Sequence, residues 1–119
     1  MNYVVKPDTT SSAVWTSIPP LDEVTAGLTR PAHLGSLLRA LERSSPYLLD
    51  VVAGGCSIPP EALRSALEGM PKGPEAERFL AWAEQNARRN GRSRADCADL
   101  ALGLAYLARE EIRPLAGLG

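Results

Sequence analysis

The chain is poor in the side chains with which enzymes most often carry out acid–base and nucleophilic chemistry. Its 119 residues include one histidine, His33, and two cysteines, Cys56 and Cys97, which lie far apart. A single histidine cannot begin a standard set of metal ligands, and the cysteine spacing is typical neither of a metal site nor of a disulfide scaffold. The pair Gly54-Gly55 lacks the preceding strand and the following lysine of a phosphate-binding loop. The sequence therefore predicts a protein that is not an enzyme and uses no metal or cofactor.

Long apolar runs and lysine are also scarce. No apolar stretch reaches about 18 residues and no charged-then-apolar leader is seen, so we expect neither membrane spanning nor export. A cytoplasmic location follows as the expectation, and the composition favours a bacterial or phage source. Of the 13 basic residues 11 are arginine, which we attribute to coding composition rather than to interface use. A net charge of −1 argues against a protein that mainly coats nucleic acid or anionic membrane.

The composition is that of an ordinary folded domain, with 45% hydrophobic and 23% charged residues. A chain of this length buries a core without cross-links. Helical periodicity dominates after residue 20, so we expect an all-α fold: a small bundle of about five helices ending in a long antiparallel helical hairpin, with an extended N-terminal arm. The expected divisions are the arm at residues 1–20, the helical domain at 21–114 and a short C-terminal tail at 115–119.

The hairpin carries the clearest helical signals. Pro74 suits a first helical position and Asn90-Gly91 suits a helix end, which predicts a first helix over residues 74–90. Ser93 and Asp96 have the spacing of a capping box, which predicts a second helix over residues 93–112. The main apolar stripe of this second helix is expected to face the core and consists of Cys97, Leu100, Ala101, Leu104, Leu107 and Ala108.

Shorter helices are predicted between the arm and the hairpin. The first covers residues 21–28, and the next is expected to be capped by Thr29 with Pro31 in its first turn. Two more begin near Pro46 and Pro60, where proline restarts the chain.

Four apolar or aromatic residues are candidate contacts for a partner. Leu102 and Tyr106 are four residues apart, on the side of their helix opposite its main stripe. A helix that is apolar on two sides is either central in a bundle or covered by a partner. Trp82 lies at the edge of its own helix's apolar stripe. Trp15 anchors the arm, where packing on its own domain is favoured over contact with a partner.

A basic corner, formed by Arg88, Arg89, Arg92 and Arg94, lies between the two hairpin helices. With the amide groups at the start of the second helix, these side chains suit a phosphate or a carboxylate-rich protein surface. A corner that is simply solvated is the favoured interpretation, followed by protein contact and then by nucleic acid.

These features predict a non-enzymatic protein-binding or assembly protein, such as a small inhibitor, an adaptor or a structural subunit of a larger complex. We expect the partner to be another protein or a second copy of the chain in a homo-oligomer, and not a membrane. The alternative is a nucleic-acid-binding regulator that uses the arginine-rich turn.

Overall fold

The computed structural model describes residues 18–69 and 73–117, and the regular elements in these ranges are all helices. They are α1 Leu21–Thr25, α2 Leu34–Ser44, α3 Pro46–Gly55, α4 Pro60–Glu68, α5 Glu77–Arg89, α6 Cys97–Leu107 and α7 Arg109–Leu115. The all-α prediction is confirmed, with more and shorter helices than expected. None of these helices combines the length and the apolar character that crossing a membrane requires. Residues 1–17 of the predicted arm, including Trp15, lie outside the described residues.

One core cluster draws apolar side chains from all seven helices. In α2 the buried residues Leu34, Leu37, Leu38 and Leu41 follow the spacing of one helical face. Phe79 on α5, Leu104 on α6 and Ile112 on α7 join the same cluster, and the last two have no exposed surface. The longer helices are thus held mainly by packing of their apolar side chains, whereas α1 and α7 contribute one buried apolar residue each.

The end of α5 follows the prediction for Asn90-Gly91. Gly91 adopts a φ of 80°, which glycine tolerates because it has no Cβ. The Arg92 amide donates to the Ala87 carbonyl at 2.9 Å and the Gly91 amide donates to the Arg88 carbonyl at 3.0 Å. These two bonds form a Schellman motif, which satisfies carbonyls that the helix end would otherwise leave unpaired.

The predicted start of α6 is wrong by one helical turn. Asp96, and not Ser93, is the capping residue, and its Oδ1 accepts from the amides of Ala98 at 2.9 Å and Asp99 at 3.1 Å. The Asp99 carboxylate reaches back to the Asp96 amide at 2.9 Å, completing the capping box. The box therefore consists of two aspartates, a combination that the usual Ser/Thr–Glu pattern does not describe.

The predicted single helix over residues 93–112 is also divided. It stops at Leu107, and Ala108 leaves the α-helical conformation with φ −105° and ψ 14°. After this break Ile112 on α7 is buried. Leu107 is 50% exposed, so the prediction that it belongs to the buried stripe of α6 is wrong. Pro114 lies inside α7 rather than beyond the helix.

Two helices begin later than predicted because the residues before them are extended. Residues 32–34 pair with residues 74–76 through bonds from the Leu34 amide to the Pro74 carbonyl and from the Ala76 amide to the Ala32 carbonyl, both 2.8 Å. Thr29 and Pro31 therefore precede α2, and Pro74 precedes α5.

A second extended pairing joins the starts of α1 and α6. The Leu21 amide donates to the Ala95 carbonyl at 2.9 Å, and the Cys97 amide donates to the Pro19 carbonyl at 3.2 Å. The described chain therefore begins beside the first turn of α6.

Candidate functional site

Helix α6 has close neighbours on two sides. On one side Gly55 of α3 meets Ala105, and a Cβ at residue 55 would lie 2.4 Å from the Ala105 Cβ. On the other side the Trp82 ring of α5 lies against Gly103, where a Cβ would be 2.8 Å from Cε3 of the indole. Both contacts depend on glycine, because any side chain would force the helices or the ring apart.

Leu102 and Tyr106 point between these two neighbours toward solvent. At 3.6 residues per turn, positions 103 and 105 lie on opposite flanks of the side that carries positions 102 and 106. Leu102 is accordingly 36% exposed and Tyr106 is 72% exposed, while the main stripe of α6 is buried apart from Leu107.

Helix α3 adds two apolar side chains next to Leu102 and Tyr106. Tyr47 and Val51 repeat at intervals of four with Gly55, so they lie on the side of α3 that meets α6. They are 41% and 43% exposed. We define the apolar face as these residues together with their neighbours on α5 and α6: Tyr47, Val51, Trp82, Leu102 and Tyr106. Single exposed apolar residues are ordinary on a protein surface, whereas a cluster of this kind is typical of an interaction site.

Three of the predicted partner-contact residues, Trp82, Leu102 and Tyr106, are brought together on this face. Trp15, the fourth, lies outside the described residues. Tyr47 and Val51 were not among the predicted contact residues, because the sequence alone showed them only as apolar positions of a helix. Their spacing with Gly55 is the signal that distinguishes them, because it places them on a different side from Leu49 and Ala53.

The basic corner is largely engaged within the chain. Arg92 donates Nη1 to Asp99 Oδ2 and Nη2 to Asp99 Oδ1, both at 2.7 Å, and the Asp99 side chain is only 2% exposed. Asn86 adds a bond to Asp99 Oδ1 at 2.9 Å. Burial opposes ionisation of Asp99, but the Arg92 guanidinium and the surrounding donors hold the pKa of this carboxyl below its usual value. Arg92 is therefore part of the α5–α6 turn rather than a free cation.

Arg94 is also paired, because its Nη2 donates to Asp22 Oδ1 at 2.6 Å and lies 3.8 Å from Glu23 Oε2. This hydrogen bond lowers the pKa of the exposed Asp22 carboxyl. In residues 18–69 and 73–117, Arg88 and Arg89 form no hydrogen bond or salt bridge, and both are exposed. The corner thus offers two uncommitted cations and not four.

The two cysteine side chains, which have nucleophilic potential, lie in the core. Cys56 and Cys97 are both buried free thiols. Burial, with a smaller effect of Asp96, raises the pKa of Cys97 to about 12, and burial also raises the pKa of Cys56 despite Arg109 and Arg113 nearby. In the described part of the chain, no group of three or more His, Cys, Asp and Glu residues has the geometry of a metal site.

A cleft of about 300 Å³ lies between α1 and α5. Its charged rim includes Asp22, Arg30, Glu77 and Glu84. Arg94 bonds Asp22, and Arg30 bonds Glu77, so these charges already have partners in the chain. Among the described residues, Glu84 is the charged side chain of this rim without a hydrogen bond or salt bridge, so the cleft offers a small ligand few free polar groups.

No protein-family model, curated protein or solved structure matches this chain.

Proposed function

We propose that this chain is a non-enzymatic protein-binding or assembly protein, such as a small inhibitor, an adaptor or a structural subunit of a larger complex. The observation that carries the proposal is the apolar face, which leaves two tyrosines, a leucine and a valine substantially exposed around the α3–α6 contact. Covering such side chains removes apolar surface from water, the main favourable term in protein association.

The chemistry of the face favours a partner that presents apolar side chains. Tyr106 projects furthest, and a tyrosine offers a large rigid ring with a hydroxyl that still finds a hydrogen-bond partner when buried. Trp82 packs on Gly103 and Gly55 packs on Ala105, on the two flanks of the side of α6 that carries Leu102 and Tyr106. Interfaces depend on a few anchors of this kind, and truncating one typically costs about 2 kcal/mol or more of binding free energy.

In this proposal α5 and α6 act together as the predicted antiparallel hairpin that presents the face. Two contacts support this role, since Asn86 meets Asp99 and Trp82 meets Gly103 as the two helices pass in opposite directions. Beyond the end of α6, Arg78 of α5 pairs with Glu111 of α7. The pair between Arg92 and the buried Asp99 carboxylate fixes their connecting turn.

The test is capture of a partner from cells of the source organism with the purified chain as bait. Tyr106→Ala and Leu102→Asp are expected to lose the partner, because each removes or charges the centre of the face. Leu107→Asp is the matched control, since Leu107 is a still more exposed leucine on another side of α6. Equal capture by all three variants would reject the apolar face as the binding site.

A nucleic-acid-binding regulator is the second candidate, and the exposed Arg88 and Arg89 favour it. The appropriate variant changes these two residues to serine and leaves Arg92 in place, because substituting Arg92 would strand the buried Asp99 carboxylate. Two phosphate contacts predict that log K falls with log salt with a slope of about −2. DNA or RNA binding that has this slope and is lost in the double variant would replace the protein-binding proposal.

A further inference from the structure

We propose that the apolar face is the interface of a homodimer, in which a second copy of this chain packs on it about a two-fold axis parallel to α6. The inference rests on the proposed function in one respect, namely that the apolar face is a docking surface. It names the occupant of that surface as the same face on another molecule.

A two-fold dimer brings the same patch of both copies together, so the patch has to be complementary to itself. Helices α3 and α5 lie on opposite sides of α6, since Gly55 meets Ala105 and Trp82 meets Gly103. A two-fold axis parallel to α6 therefore places α6 over α6, and α5 of one molecule over α3 of the other. Positions at one height along α6 stay at that height across the interface.

The outer edge of the face on α5 is basic. Arg78 and Arg89 lie four residues before and seven residues after Trp82, on the same side of the helix. Arg78 is 59% exposed and pairs with Glu111. Arg89 is exposed and forms no hydrogen bond or salt bridge within the described residues. With two guanidinium groups for one carboxylate, the α5 edge carries an excess of positive charge.

The outer edge of the face on α3 is acidic. Asp50 lies three residues after Tyr47, on the side of Tyr47 that is turned away from α6. Asp50 is 48% exposed, and its Oδ1 accepts from Arg64 at 2.6 Å. The same guanidinium lies 4.0 Å from Glu42 Oε2. Two carboxylates thus share one guanidinium, so this edge carries an excess of negative charge and Asp50 Oδ2 can still accept a hydrogen bond.

The charges of the two edges meet at matching heights. The α3–α6 contact is the most extensive between any two of the described helices, and the last residue of α3, Gly55, lies beside Ala105, so α3 runs parallel to α6. Counting back from Gly55, Asp50 is level with position 100 of α6. Trp82 packs at position 103 and α5 runs the opposite way, so Arg89 is level with position 96. At 1.5 Å per residue the two are about 6 Å apart along the axis, which an arginine side chain spans.

The shape of the face also suits a second copy. Tyr106 is 72% exposed and lies three residues from Gly103, so it leans toward α5. On the second copy this direction lies over α3, where Gly54 and Gly55 are exposed and carry no side chain. Each Tyr106 ring can therefore lie against the two glycines of the other molecule, at the height that Gly55 shares with Ala105. Burying both rings removes apolar surface from water.

The size of the face predicts a weak dimer. Three helices about 15–20 Å long and about 8–10 Å apart present a few hundred Å² on each copy. A standard stable interface buries about 800 Å² on each partner. We therefore expect monomers and dimers to exchange at micromolar concentrations.

The experiment measures dimerisation of the purified full-length chain by sedimentation equilibrium, from micromolar to millimolar concentration. Arg89→Asp and Asp50→Arg each set like charges opposite each other in the homodimer, and each is expected to raise its dissociation constant by about tenfold or more. A mixture of the two variants has both opposite-charge pairs again, so a heterodimer is expected to form with an affinity approaching that of the parent. Arg88→Asp, a charge reversal on another side of α5, is the matched control and is expected to dimerise like the parent.

Three results would overturn the inference. The first is a chain that stays monomeric up to millimolar concentration. The second is a mixture of Arg89→Asp and Asp50→Arg that dimerises no better than either variant alone. The third is a dimer that Arg88→Asp weakens as much as Arg89→Asp does.

A further measurement on the unsubstituted chain does not depend on any variant folding. Dilution is expected to shift the nuclear magnetic resonance signals of Leu102 and Tyr106 and to leave those of Leu107 unchanged, and the reverse pattern would place the dimer contact elsewhere and overturn the inference. A monomeric chain that captures a different protein through the apolar face leaves the proposed function standing without the dimer. A dimer whose variants behave as expected leaves the inference standing even where no other protein is captured.

Discussion

At the scale of single residues, Glu77 ties two distant segments together. Its carboxylate accepts from Arg30 Nε and Nη2, both at 2.5 Å, and from the Ala32 amide at 2.6 Å. The Arg30 hydrogen bonds, followed by that of the Ala32 amide, lower the pKa of Glu77 to about 2 from an ordinary value of 4.5. The loop before α2 is thereby fastened to the first turn of α5, and the ionised form of Glu77 is favoured in the folded state.

This pKa shift predicts how stability depends on pH. Because the folded-state pKa is the lower one, the contribution of Glu77 is fully present above pH 4.5 and is lost as the pH falls toward about 2. Glu77→Gln is expected to lower the free energy of unfolding at pH 7 and to flatten its decline across that acid window. Urea titrations at a series of pH values measure both effects. Asp22 and Asp99, whose pKa values are also lowered, keep part of the decline in the variant.

The control for this prediction is Glu61→Gln, which removes one carboxylate from an exposed position at the start of α4. An acid decline that is the same in Glu77→Gln as in the parent would show that Glu77 does not contribute through its ionisation.

The different exposure of two leucines on α6 predicts losses of stability of different size on truncation. Leu104 has no exposed surface, so Leu104→Ala is expected to reduce the free energy of unfolding by about 2–5 kcal/mol. Leu107 is 50% exposed, and Leu107→Ala is expected to cost less than about 1 kcal/mol. Denaturant unfolding of both variants measures the difference. Similar losses in the two would mean that the core side of α6 has been assigned wrongly.

At the scale of the helices, the contact between α3 and α6 predicts that alanine substitutions at two adjacent glycines change the stability of the protein in opposite directions. A Cβ at Gly55 would lie 2.9 Å from the backbone Cα and O of Ala105, so Gly55→Ala must displace a helix and is expected to destabilise the protein by about 1–3 kcal/mol. A Cβ at Gly54 meets nothing within 4 Å, and Gly54→Ala is expected to stabilise α3 by about 0.5–1 kcal/mol. Thermal unfolding of the two variants measures both changes in stability. Equal shifts in the same direction would contradict the close approach.

The helices themselves could be predicted from the sequence better than their ends. Apolar spacing located α2 and the buried stripe of α6 because each helix has to bury one side. The ends depend on contacts made elsewhere in the chain. Pro74 looked like a helix start, but residues 74–76 are held extended by residues 32–34. Similarly, Asp96 and Asp99 form the capping box while Ser93 lies outside the helix.

At the scale of the whole molecule, the candidate site could be predicted only in part. Leu102 and Tyr106 could be identified from the sequence because α6 has apolar residues on two sides. One side packs on the core, and the other remains as a candidate contact for a partner. The basic corner was overestimated, since the carboxylates that engage Arg92 and Arg94 are not all close in sequence. Asp22 lies far from Arg94 along the chain, and only the fold brings the two together. Charge clustering in a sequence shows which residues are near each other and not which ones remain available.

The two extended pairings bear on how the chain reaches this fold. The pairing of residues 32–34 with 74–76 lies entirely inside the segment enclosed by the pairing of residues 19–21 with 95–97. The entropy cost of closing a chain segment rises with the logarithm of its length. Once the inner pairing has formed, the outer one has only the two short flanking segments left to order. We therefore expect an inside-out folding order in which the pairing of residues 19–21 with 95–97 forms after that of residues 32–34 with 74–76.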